Sequence, residues 1–180
     1  MTAFAIEIGE GFHGVGADAA HVNTVLGLRE GPVGTAFATA LAQPTPGHVP
    51  FLAVWAPNVP VQPPTLFVNK ATIASDAHGT LTWGAAQAGV AAGVTEHVAD
   101  RFDQTELSRL ALIVAVWVNP AASDAAEVYA NNLAATRDSL VRGRAAVTDD
   151  ADGRDAVLTA IAQWRAGGAP YNPYFTPRGS

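Results

Sequence analysis

Lys70 is the only lysine in a chain of 180 residues, and it falls inside Thr65–Ile73, an apolar run that reads as a β-strand. An ammonium held there needs a carboxylate, an anionic ligand or an opening to water, because burying it unpaired is costly. A lysine near a strand end can also snorkel, with its stem on apolar surface and its head in solvent. Side chains alternate along a strand, so Leu66, Val68, Lys70 and Thr72 share one face, and Phe67, Asn69, Ala71 and Ile73 the other. The same rule sets His21, Asn23 and Val25 side by side in the run Ala20–Leu28. An imidazole titrates near neutrality and can move a proton in either direction, although a strand histidine can equally be a packed or surface residue. Gln87 shares a helical stripe with Trp83 and Val94, where a glutamine either completes a structural hydrogen bond or lines a pocket.

The elements that must carry these groups follow from periodicity. Phe4, Ile6 and Ile8 alternate with smaller or polar residues and predict a first strand with one apolar face. Gly9-Glu10-Gly11-Phe12-His13-Gly14 has the glycine spacing of a dinucleotide-binding turn. Gly16 and Asp18 interrupt the helix that should open there, so the stretch reads as a glycine-rich hairpin connection into the Ala20–Leu28 strand. Gly31-Pro32 starts a helix with Val33, Phe37 and Leu41 on one stripe, closed by Pro44 and Pro46. Phe51–Trp55 is a third strand, joined to the lysine strand by a stiff run of prolines. Thr82–Arg101 is helical, Leu110–Val118 is an apolar strand, and Ser123 is the expected N-cap of a helix ending near Arg144. Thr148–Gly153 reads as an acidic linker. Val157, Leu158, Ile161 and Trp164 predict a last helix stopped by Gly167-Gly168, followed by the aromatic tail Pro170–Phe175. The fold class is α/β (α+β), a two-layer sandwich with a mixed or antiparallel sheet, in a single domain over residues 1–180.

Composition narrows the function. Ten Lys and Arg against sixteen Asp and Glu give a net charge of −6, which argues against a broad nucleic-acid footprint and an anionic membrane surface. There is no cysteine, so thiolate chemistry and disulfides are excluded. The five histidines lack metal-ligand spacing, and no metal site is expected. The first residues lack the pattern of a signal peptide, and Leu110–Val118, the longest apolar run, is too short to span a bilayer, so a cytoplasmic protein is expected.

Several blocks resemble the formaldehyde-activating enzyme family: Ala20-His21-Val22-Asn23, Thr35-Ala36-Phe37, Leu52-Ala53-Val54-Trp55-Ala56-Pro57-Asn58-Val59-Pro60, Pro64-Thr65-Leu66, Asn69-Lys70-Ala71-Thr72-Ile73 and Gly84-Ala85-Ala86-Gln87-Ala88-Gly89-Val90. They are colinear from about residue 6 to residue 145, while the C-terminal segment 146–180 diverges. The resemblance implies a fold like that of domain 2 of ribosomal protein S5. It also implies condensation of formaldehyde with tetrahydromethanopterin, or a related reduced pterin, to the methylene adduct and water. It implies a homopentamer whose sites lie between subunits, and the condensation itself needs no metal or redox cofactor. The family's proton-donating histidine falls on His21, and its pterin contacts fall on Leu52, Lys70, Thr72 and Gln87. Its aspartate two positions after the histidine falls on Asn23, where the amide keeps the shape and loses the charge, so weaker activity or a shift to lower pH is expected. A second reading is a binding protein that carries or senses a pterin or formaldehyde.

Overall fold

The computed structural model describes residues 6–145 and 151–170, with the backbone alone described over 151–157. Five strands form one sheet in the order β1-β2-β7-β6-β3: β1 (Glu7–His13), β2 (Ala20–Leu28), β3 (Phe51–Leu52), β6 (Thr65–Asn69) and β7 (Leu110–Trp117). β6 and β7 are parallel and the other neighbours antiparallel, so the sheet is mixed. Two short strands, β4 (Val54–Ala56) and β5 (Val59–Pro60), make a separate hairpin beyond the edge. The parallel pair requires a long crossover, and the chain supplies it with consecutive helical segments between β6 and β7. These are α2 (Asp76–Thr80), a π-helical turn (Leu81–Ala86), α3 (Gln87–Ala99) and α4 (Gln104–Arg109).

One face of the sheet carries the helix layer. α3 and α5 (Ala125–Ala145) pack on each other, and α5 lies along β1 and β2. Between the layers, Val22, Leu26, Phe67, Val90, Val94, Leu112, Val114 and Leu140 form the core. Phe67 is wholly buried and stacks on Phe51 with ring centroids 4.8 Å apart. Burying a side chain of this class contributes roughly 1.5–3 kcal/mol. Thr24 and Ser139 share a buried hydroxyl hydrogen bond of 2.8 Å that joins β2 to α5.

Gly9 and Gly11 are not a hairpin connection. They lie within β1, and a Cβ at either would run into the backbone carbonyl of Ser139 or Ala135 on α5. Their spacing serves close packing of helix on strand, so the glycines and Glu7 point inward and Ile8 and Glu10 outward. The expected apolar face of the first strand is therefore the outer one: Ile8 is 65% exposed.

Other boundaries also move. The third strand divides into β3 and β4 at Ala53, and the lysine strand ends at Asn69. The helix expected from Thr82 begins at Asp76, capped by Ser75 Oγ, which accepts from His78 N–H. The π turn shifts the angular register ahead of α3, leaving Trp83 56% exposed while Val90, Val94 and Val98 are buried. Asp124, not Ser123, caps α5: its Oδ1 accepts from Ala126 and Glu127 N–H, whereas Ser123 N–H donates to Asp18 Oδ1. The backbone N–H groups of Asp124 and Ser123, both donating to Asp18 Oδ1, hold that carboxyl below its usual pKa. Residues 151–153, read as linker, begin α6 (Ala151–Arg165). Residues 171–175 of the tail lie outside the described residues. No described helix is long and apolar enough to cross a membrane.

Candidate active site

The face of the sheet opposite α3 and α5 is covered by α1 (Pro32–Ala42) only towards one end, where Val33 packs over Gly27. The rest is open. Register fixes which side chains meet there. Glu10 lies directly opposite Asn23, Phe12 opposite His21, and on the other side of β2, Asn23 faces Ala115 and His21 faces Trp117. Val68 stands beside Ala115 on β6, and Leu52 beside Leu66 at the far edge.

Two contacts bind this surface into a polar row. His21 Nε2 donates to Glu10 Oε1 over 2.6 Å. Lys70 Nζ donates to Asn23 Oδ1 over 2.8 Å. Lys70 follows directly on β6, where its backbone N–H donates to Val116 O, so its strand lies two strands away from β2, roughly 10 Å. The lysine stem runs diagonally back to Asn23, and the β7 residue that faces Asn23 is Ala115, the partner of Val68, whose small side chain leaves room for it. Burial lowers the Lys70 pKa from 10.5 to about 8, and the nearby Glu10 carboxylate acts in the opposite direction. Lys70 thus keeps a half-buried cation close to an imidazole, with no carboxylate among the described residues in direct contact with it.

The sheet joins Glu10, His21, Asn23 and Lys70, with Leu52 on the same face and 44% exposed. Thr72 lies past the strand end, exposed, against Gly47. Its loop is latched there: Asn69 Nδ2 donates to Gly47 O and Ala71 O, and His48 Nδ1 donates to Asn69 O. Gln87 belongs to the helix layer, nine-tenths buried, where Nε2 donates to Val54 O over 2.8 Å and ties β4 to α3. Among the described residues neither Thr72 nor Gln87 touches the row within one chain.

Reading the sequence missed Glu10, since the pairing of β1 with β2 is what brings it to His21. The only available signal was a charged residue at an alternate position of a strand. His78 is structural: Nδ1 accepts from Ala74 N–H and Nε2 donates to Val118 O. Among the described residues no three His, Asp or Glu side chains converge as a metal site would require.

Residues 8–160 match the pattern of the protein family described as formaldehyde-activating enzyme. A 5,6,7,8-tetrahydromethanopterin hydro-lyase of Methanosarcina barkeri is 36% identical over 165 residues, 91% of this chain and 89% of the relative. Bifunctional enzymes named Fae/Hps from Methanosphaera stadtmanae and Methanocella arvoryzae are 36% and 37% identical over 137 residues, 76% of this chain. The chain spans about a third of the length of those two, 34% and 35%.

Proposed function

The chain belongs to the formaldehyde-activating enzyme family, and from that premise we propose that it condenses formaldehyde with a reduced pterin to the methylene adduct and water. The acceptor is tetrahydromethanopterin or a pterin of the same two-amine chemistry. Formaldehyde adds to the first amine as a carbinolamine, and hydroxide is a poor leaving group from it. His21 delivers a proton to that oxygen so that water departs and an iminium remains. The second amine attacks the iminium carbon, closes the ring and releases a proton, which restores the balance. Holding both amines and the aldehyde carbon together replaces an encounter by a positioned closure.

The observation that carries this reading is the row on the open face, an imidazole and a half-buried ammonium on either side of one amide. Lys70 is suited to an anionic or polar part of the ligand, and Leu52 to the flat face of its ring. Assembly into a homopentamer supplies the rest. Ile8 and Leu52 leave apolar area on this face for other copies to cover. Thr72 and Gln87, which do not reach the row in their own chain, then enter from a neighbour.

The test mixes purified protein with formaldehyde and either tetrahydromethanopterin or tetrahydrofolate and follows adduct formation against the uncatalysed background. Acceleration with at least one acceptor, lost about a hundredfold or more in His21→Ala, is the expected result. A wild-type rate equal to background with both, alongside saturable pterin binding, would replace the enzyme by a carrier.

A further inference from the structure

We propose that Glu10 is the positioning carboxylate of this site, holding the proton of the neutral His21 ring on Nε2 and favouring its charged form, so that Nδ1 is the atom that delivers the proton. The inference rests on the reading of His21 as proton donor, but the state of the ring can be measured without the reaction.

Geometry is the first support. A contact of 2.6 Å between a ring nitrogen and a carboxylate oxygen is shorter than an ordinary N–H···O bond, as expected where the acceptor is ionised. A carboxylate only accepts, so Nε2 carries the hydrogen. Among the described residues nothing hydrogen-bonds Nδ1, and the side chain as a whole is 31% exposed. The second support is the backbone beneath Glu10. With Gly9 and Gly11 pressed against the α5 carbonyls, β1 has no freedom to roll, and residue 10 is held on the outer face opposite Asn23.

The third support is the charge around the ring. From β1 come Glu10 and Phe12, from β2 Asn23, from β7 Trp117, and from beyond β6 the Lys70 ammonium. The α1 sequence Pro32–Ala42 contains no charged residue. Glu10 is the one anion in this set, and Asn23 commits its carbonyl to Lys70. Lys70 opposes protonation of the ring and Glu10 favours it, so the direction of the balance depends on one side chain. His21 and Glu10 are 31% and 64% exposed, so solvent screens the pair.

The experiment is nitrogen-detected NMR of the uniformly labelled full chain across pH, with the His21 signals identified by their loss in His21→Gln. Glu10→Gln is expected to lower the pH at which the ring takes its second proton and to mix the neutral tautomers. Glu10→Asp should recover part of the shift. Adduct formation is measured on the same samples. Glu10→Gln is expected to lose rate several-fold at neutral pH and regain it in more acid buffer, with no further loss in the His21→Ala background. If Glu10→Gln leaves both the ring titration and the tautomer as in wild type, the assignment of Glu10 is wrong, whether or not the protein accelerates the reaction. If the ring responds as expected while no variant, wild type included, exceeds background, Glu10 holds His21 as proposed and the condensation reading is the part that fails.

Discussion

The two faces of one sheet are built to opposite specifications. The inner face is closed by backbone. Gly9 and Gly11 admit the α5 carbonyls, Thr24 bonds Ser139, and Leu112, Val114 and Phe67 fill the space under α3 and α5. The outer face, made by the alternate residues of the same strands, holds half-buried side chains: His21, Asn23 and Lys70 among Val25, Ile113, Ala115, Trp117 and Val68. The inner face tolerates almost no change in volume, while the outer face keeps polar groups at fixed spacing without occupying the room above them. The packed side lends its rigidity to the reactive side, since each strand presents both.

Substitutions can break or sharpen that contrast. The largest effect is expected from Gly11→Val, which drives a side chain into the Ala135 carbonyl. It should lower unfolding free energy by roughly 3 kcal/mol or more in denaturant titration, and a fold of unchanged stability would show that the layers can separate at little cost.

Acid tests the inner layer in a second way. His97 on α3 is buried, neither ring nitrogen has a hydrogen-bond partner among the described residues, and its pKa falls from 6.5 to about 4 through burial and then the Arg101 and Arg144 charges. The unfolded chain therefore binds a proton that the folded chain refuses. The His97 contribution is fully present above pH 6.5 and is lost as pH falls through about 4. His97→Leu should flatten the decline in stability measured by denaturation across that window.

Lys70 tests the outer face by the same linkage in the alkaline range. With a folded value of about 8 against 10.5 unfolded, the ammonium opposes folding at neutral pH, and stability should rise as pH goes from 8 to 10.5. Lys70→Met should match or exceed wild-type stability at pH 7, lack that alkaline rise, and bind pterin more weakly. Loss of stability in Lys70→Met at neutral pH would mean that the lysine is structural. Smallest of all, Ile8→Ser should change the stability of the isolated chain by no more than about 0.5 kcal/mol. A change in sedimentation without a change in secondary structure would then mark the outer face as a contact between copies.

Much of this was legible in the residues. Ala20–Leu28 and Pro32–Ala42 fall where alternation, Gly31-Pro32 and the closing prolines place them, because those signals are local. The exposed Trp83 was not legible, since a π turn changes which face a residue occupies without altering the composition around it. β1 misled for a related reason: its apolar residues are on the outer face, and its inner face is made of glycines whose role depends on a helix more than a hundred residues away.

The sequence by itself determined the residue types and their alternation: a single lysine, a histidine and an amide two apart in a strand, and the motifs that mark the family. Tertiary structure alone decided that Lys70 reaches Asn23 across β7, that Glu10 is the carboxylate on His21, and that Gln87 lies in the helix layer of its own chain, bonded to Val54. The reason is register. Alternation says which side chains share a face of one strand, but which residues of two strands become neighbours depends on pairings and helix contacts between segments far apart in the chain.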